Sequence, residues 1–158
     1  MSRLPALGPR GEGWVVLQLV LLALVAVAGL AGPAWDGVAR VVTNALGAML
    51  MAAGLVLALR GLVDLRDALT PLPHPRDDAS LVDTGAYRLV RHPIYGGIIL
   101  GAAGYGLLTA SPPALAGAAV LLGFFRLKSG REELWLEQRY PGYTAYRLHT
   151  RRMIPLVY

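Results

Sequence analysis

Trp14 to Ala34 reads WVVLQLVLLALVAVAGLAGPA, a run with no charged residue and one clearly polar side chain, Gln18. A helix needs ~20 mainly apolar residues to cross a ~30 Å hydrocarbon core. The run therefore reads as a membrane span. A secretory signal is the rival reading, but its apolar stretch is typically ~7–15 residues followed by a small-residue cleavage site. This run is longer and ends in Gly32-Pro33. Working outward, Val41–Leu59 (VVTNALGAMLMAAGLVLAL) is a second run, with Gly47, Gly54 and several alanines offering faces for close helix packing. Ile94–Ala110 and Pro113–Phe125 are third and fourth runs separated by Ser111-Pro112-Pro113, a turn signal. The fourth is short for a span unless it continues past Arg126.

The composition agrees. Of 158 residues, 55% are hydrophobic and 16% charged, against ~45–50% and ~25% in soluble domains. A soluble globule and a disordered chain are both excluded. There is no Cys, which removes disulfide scaffolds, Cys-ligated zinc and thiol catalysis but leaves the redox compartment open. The fold class expected is all-α: a polytopic membrane protein with about four transmembrane helices and a C-terminal interfacial helical segment. Residues 1–158 form a single membrane domain, with two N-terminal transmembrane helices over 14–63. Residues 81–158 hold the last helical hairpin and the functional core.

The net charge of +5 invites a nucleic-acid reading, but its placement argues for topology instead. The N-terminal tail carries Arg3 and Arg10, and the first loop only Arg40. The stretch from Arg60 to Arg91 carries Arg60, Arg66, Arg76, Arg88 and Arg91. The tail carries Arg126, Lys128, Arg131, Arg139, Arg147, Arg151 and Arg152. Four spans put fourteen of these on one side and one on the other, which by the positive-inside rule makes both termini cytoplasmic. Three spans would divide the two basic blocks. The basic residues then face anionic headgroups of membrane lipids, and no nucleic acid is expected as partner.

Almost every ionisable group falls in two blocks, Leu81–Gly97 (LVDTGAYRLVRHPIYGG) and Arg126–Tyr158. The hairpin of the last two spans must bring them together, making Arg91-His92 neighbours of Glu132-Glu133. Pro93 suits the first turn of a helix, where its missing N–H costs nothing, and it biases His92 toward extended backbone. The helix start can then face an anion. Gly96 and Gly97 permit close approach of a cofactor or another helix. Adjacent carboxylates on a helix point ~100° apart, so Glu132 and Glu133 cannot share one task. His74 sits among prolines and His149 in an Arg-rich tail; three dispersed His without Cys argue against a metal site. No nucleotide loop or nucleophile elbow is present. The tyrosines at 140, 143, 146 and 158 read as interfacial anchors.

Gly85-Ala86-Tyr87-Arg88-Leu89-Val90-Arg91-His92-Pro93-Ile94-Tyr95-Gly96-Gly97 resembles the G-x-Y-x-x-V-R-H-P-x-Y-x-G signature of integral membrane methyltransferases, the isoprenylcysteine carboxyl methyltransferases and phospholipid N-methyltransferases among them. Glu132-Glu133, Leu136, Tyr140-Pro141-Gly142-Tyr143, Tyr146, Arg151 and Pro155 are similar to the same family's second segment. The resemblance spans Leu81 to Pro155, about half the chain. Tyr140-Pro141-Gly142 stands where the family has Phe-Gly, one residue longer, so Tyr143 and Tyr146 are not carried over. Membrane sterol reductases end in a similar R-H-P-x-Y segment and an I-P-x-x-Y tail, as Ile154-Pro155 to Tyr158 does here. They are much longer and use NADPH, and the Glu132-Glu133 pair favours the methyltransferase. A non-enzymatic scaffold whose motifs merely anchor helices is the third alternative.

The resemblance implies a methyltransferase with S-adenosylmethionine as cofactor, bound at the cytoplasmic ends of the last two helices. Carried over residue by residue, it assigns cofactor binding to Tyr87, Leu89, Val90, His92, Pro93, Tyr95, Gly97, Glu132 and Glu133. Arg91 and Glu133 are the catalytic candidates. The helix start around Arg91, His92 and Tyr95 would meet the cofactor's carboxylate, and Glu132 or Glu133 its ammonium. Arg126 and Arg152, with Arg91, are candidates for an anionic acceptor. The expected acceptor is a lipophilic or lipid substrate entering from the bilayer, of the isoprenylcysteine type or alternatively a phospholipid amine. No metal is implied. The glycine-rich second span could pack on a second copy, a homo-oligomer.

Overall fold

The structure is a computed structural model describing residues 5, 7–30, 35–66, 70, 72, 74 and 80–155. The Gly32-Pro33 end of the first run, Arg3, the prolines at 71, 73 and 75, Arg76 and Tyr158 lie outside the described residues.

Among the described residues the chain forms five α-helices: α1 (Glu12–Leu30), α2 (Gly37–Leu65), α3 (Pro93–Leu108), α4 (Pro112–Arg139) and α5 (Tyr143–His149). A 3-10 turn, Gly85–Arg88, precedes α3. No strand forms there, apart from an isolated parallel bridge between Val90 and Arg151. Two helices, α1 and α2, are long and apolar enough to cross a membrane. Their outward residues are large and apolar, with Val27 63% exposed and Met49 66%. Such faces are at home in lipid and costly in water. α3 is a shorter apolar helix.

One boundary differs from the sequence expectation, and another follows the continuation past Arg126 that the fourth run called for. α2 continues past Arg60 to Leu65, because Arg60 and Asp64 sit one turn apart, 4.0 Å between guanidinium and carboxylate, and extend the helix beyond its apolar part. The fourth run and the charged segment after it are one 28-residue helix. Ser111 starts it as N-cap, accepting a hydrogen bond from the Ala114 N–H at 3.2 Å. The Ser111 hydroxyl donates in turn to the Ala28 carbonyl at 2.8 Å, tying the end of α1 to this turn.

α3 packs against α2 on one side and α4 on the other, with α1 laid on α4. The α2–α3 contact is a ladder of small residues. Gly47, Gly54 and Gly61 recur every seventh position and face Gly104, Gly97 and Pro93. A Cβ on Gly54 would stand 2.5 Å from the Gly97 carbonyl oxygen, so only glycine lets the backbones approach this closely. The glycine face of α2 that suggested a second copy is therefore covered by α3 of the same chain. The core between α1, α3 and α4 joins Val25, Ile99, Leu121 and Phe125, and Met153 from the tail completes it.

Candidate active site

The hairpin of α3 and α4 returns the chain to the end where the charges lie, and there the two polar blocks meet. His92 is the N-cap of α3 and Pro93 its first residue. The segment before it is pinned by the C-terminal tail. Arg91 N–H donates to the Arg151 carbonyl and His92 N–H to the Arg152 carbonyl, both at 2.9 Å, and Arg151 N–H donates to the Leu89 carbonyl at 3.2 Å. The Arg91 guanidinium also donates to the Thr150 carbonyl at 2.5 Å and the Arg147 carbonyl at 3.1 Å.

Glu133 is the hub of this end. Its Oε1 accepts from Arg91 Nε at 2.9 Å and lies 3.2 Å from His92 Nε2; its Oε2 accepts from Arg152 at 2.9 Å. The side chain is 4% exposed. Burial pushes its carboxyl up, but the hydrogen bonds from His92, Arg152 and Arg91 and the charges beside it outweigh that, and the group is held well below the usual carboxylate range.

Glu132, one residue earlier, turns the other way into a cavity of about 470 Å³. Its Oε2 is buried and has no hydrogen-bond partner among the described residues. His92 Nδ1 lies 3.4 Å away, an ion-pair contact outside hydrogen-bond geometry. Burial dominates here and pushes the Glu132 carboxyl up, with His92, Lys128 and Tyr95 opposing. One turn before it, Lys128 is 2% exposed and donates to Gln18 Oε1 of α1 at 2.5 Å. Its ammonium stands 4.9 Å above the Tyr95 ring, a cation–π contact. Burial lowers the Lys128 pKa, with Glu132 opposing.

Five tyrosines, 87, 95, 140, 143 and 146, line the same cavity. Tyr95 stacks between His92 and Phe125, at 5.4 and 4.6 Å between ring centroids. Tyr146 donates to the Tyr87 carbonyl at 2.6 Å. The Tyr143 hydroxyl is buried and has no hydrogen-bond partner among the described residues. Burial raises the pKa of Tyr87, Tyr143 and Tyr146, so all three are neutral phenols.

Of the residues singled out from sequence, Tyr87, Arg91, His92, Tyr95 and Glu132 line the cavity. The others do not. Leu89 is 59% exposed and borders a separate shallow groove. Val90 is fully buried at the bridge with Arg151. Pro93 packs against Gly61, and Gly97 against the Gly54 carbonyl and Ala58, so the close approach that these positions allow is that of α2. Gly96 meets the carbonyl of Met153 in the same way. Glu133 lies behind the cavity wall in its ion network. Arg152 belongs to that network, and Arg126 is exposed on α4 away from the cavity wall. The alternation has a physical cause: the turn and short extended stretch before α3 send successive side chains to different sides.

Sequence reasoning missed Gln18, Lys128, Tyr140, Tyr143 and Tyr146. Gln18 had a signal, as the one polar residue of its run. Lys128 and Glu132 stand at i and i+4, which places them on one face once α4 is known to be continuous. Among the described residues no group of three or more His, Asp or Glu is placed to hold a metal ion.

These features define a helical membrane-type protein with a polar, tyrosine-walled cavity at one end of a helical hairpin. The profile of the family described as Phospholipid methyltransferase matches residues 42–142, which is most of the chain, and the protein belongs to that family. Membership points to a membrane methyltransferase. No curated protein matches the sequence significantly.

Proposed function

We propose that the protein catalyses S-adenosylmethionine-dependent methyl transfer to a lipid acceptor that reaches the cavity from the bilayer. The observation that carries this reading is the cavity itself. It combines a buried carboxylate oxygen without a partner, at Glu132, with a wall of tyrosine rings. About 470 Å³ lies within the ~300–1,000 Å³ of small-molecule sites. The cofactor carries an ammonium, a sulfonium cation and a flat adenine. Glu132 meets the first, tyrosine faces suit the second, and aromatic and aliphatic walls suit the third. When bound, S-adenosylmethionine would supply an electrophilic methyl group, its carbon passing from sulfur to the acceptor atom and S-adenosylhomocysteine remaining as the leaving group.

The chain's contribution is then positioning and exclusion of water. Glu133 holds Arg91, His92 and Arg152 together, so the α3 start, α4 and the tail form one rigid wall. A carboxylate acceptor arrives ionised and needs no base, whereas an amine must shed a proton. His92, between Glu132 and Glu133, is the group in the wall placed to accept it. The family description favours a phospholipid acceptor over an isoprenylcysteine carboxylate.

In this reading all four long helices span the bilayer, α4 leaving it near Phe125, and the cavity opens on the cytoplasmic side with both termini. Val15 and Leu19 of α1 and Leu62 and Leu65 of α2 give the cavity an apolar side. The acceptor's tail would remain among such residues while its head enters. A radiolabelled methyl-transfer assay on total membrane lipids, phosphatidylethanolamine and prenylcysteine analogues tests the reading. Label in a lipid fraction supports it. Labelling of soluble acceptors at the same rate refutes entry from the bilayer, and no S-adenosylmethionine-dependent label with oxidation of NADPH instead refutes methyl transfer.

A further inference from the structure

Lys128 is the least expected group in the cavity. It is 2% exposed, yet the hydrogen bond from its ammonium goes to the neutral amide of Gln18 and not to Glu132 one turn away. A buried ammonium matched with a neutral acceptor and a ring face is under-compensated. Glu132 is in the complementary state, a buried carboxylate oxygen with no hydrogen-bond partner among the described residues and only His92 Nδ1, at 3.4 Å, beside it. The two stand about 6 Å apart along the axis of α4, on one face, and both border the same space. Lys128 and Glu132 would collapse into an ordinary i,i+4 ion pair if nothing held them apart. Gln18 draws the lysine toward α1, and the Tyr95 ring lies under its ammonium. A cation and an anion held apart in a cavity complement a ligand whose own ammonium and oxyanion are separated by a short linker.

We propose that Lys128 and Glu132, with Gln18 positioning Lys128, form a zwitterion-binding subsite in which Glu132 takes an ammonium and Lys128 takes an oxyanion. This rests on the methyl-transfer reading, which supplies two sources of such a zwitterion: the amino-acid end of the cofactor and the head of an amino-phospholipid. It also gives α1 a part in the site. Gln18 lies outside the residues that the family profile matches, 42–142, so this element of recognition is a feature of the chain beyond its family core.

Isothermal titration of the full chain in detergent with S-adenosylhomocysteine and with methylthioadenosine, which lacks the amino-acid end, tests the proposal. If the cofactor is the source, Lys128→Met weakens S-adenosylhomocysteine binding about 10- to 100-fold, the range of a charge-assisted hydrogen bond. Methylthioadenosine binding stays unchanged, and Lys128→Arg recovers part of the loss. If the lipid is the source, both nucleosides bind Lys128→Met as they bind wild type. The content of phosphatidylethanolamine in phosphatidylcholine vesicles needed for half-maximal methyl transfer then rises by a similar factor. Should Lys128→Met also lose methylthioadenosine, Gln18→Leu carries the test, since it keeps the lysine and removes only its tether. A several-fold loss confined to the zwitterion supports the subsite, and no change overturns it. Wild-type binding of S-adenosylhomocysteine with no effect of either substitution on nucleoside or lipid overturns the subsite alone. Wild-type binding of neither nucleoside overturns the methyl-transfer reading and the subsite with it.

Discussion

Replacing each of the adjacent glutamates by glutamine should have opposite consequences. Glu133→Gln removes the charge that compensates Arg91 and Arg152, whose side chains are only 10% and 22% exposed. Removing one partner of a buried ion pair costs ~3–5 kcal/mol. Glutamine keeps the shape and part of the hydrogen bonding, so the lower end, about 3 kcal/mol, is the expectation. For a chain of 158 residues that is a fall of about 6–12 °C in melting temperature. Glu132→Gln removes a carboxylate that burial already disfavours in its charged form. Its pKa is raised on folding, so its ionised form at neutral pH detracts from stability, and the variant should melt at or above wild type. Its cost should appear in ligand binding instead. Protein in detergent micelles, followed by intrinsic fluorescence with and without saturating S-adenosylhomocysteine, reads both effects. Wild type and Glu133→Gln should gain stability from the ligand, and Glu132→Gln should gain little. Melting of Glu133→Gln within about 2 °C of wild type, or an equal fall in both variants, refutes the division into hub and ligand group. The acid limb adds a sign. The folded-state pKa of Glu133 lies below its ordinary 4.5, so its stabilisation is present above that value and is lost as pH falls below it. Glu133→Gln should therefore lose part of the wild type's acid-dependent fall in stability.

Gly54→Val places a side chain against the Gly97 carbonyl and the Gly101 amide and should destabilise by about 1–3 kcal/mol or more, whereas Gly101→Ala, with nothing within 4 Å of its added carbon, should be neutral or better; thermal melts of the pair decide this. Tyr143→Phe deletes a buried hydroxyl that has no partner, so its melting temperature should hold or rise while affinity for S-adenosylhomocysteine falls; a lower melting temperature contradicts that. Ser111→Ala loses the cap of α4 and the bond to Ala28 and should cost about 1–2 kcal/mol, read as a lower unfolding midpoint without loss of ligand affinity.

The sequence made the meeting of Arg91-His92 with Glu132-Glu133 legible because a short turn leaves the two blocks no other place to go. It also gave the opposite directions of the two glutamates, since ~100° of helix rotation separates neighbours. Burial was not legible. Lys128 looks like any of the chain's fifteen basic residues, and nothing local distinguishes it. Only the continuity of α4 and the seating of α1 on α4 show that it points inward. Leu89 and Gly97 lie away from the cavity for the converse reason. They sit within the motif, but a motif records which residues are near in sequence. The 3-10 turn, the bridge to Arg151 and the first turn of α3 then divide those residues between the cavity, the tail and α2.

The two electrostatic arrangements depend on each other. Arg91 and Arg152 converge on Glu133, so the guanidinium groups of this end are engaged in structure. Gln18 in turn draws Lys128 toward α1, away from Glu132. The result is a wall whose charges are held apart. A network saturated a residue away, and a lysine tethered by an uncharged amide from a motif-free helix, achieve that with six ionisable side chains and one glutamine.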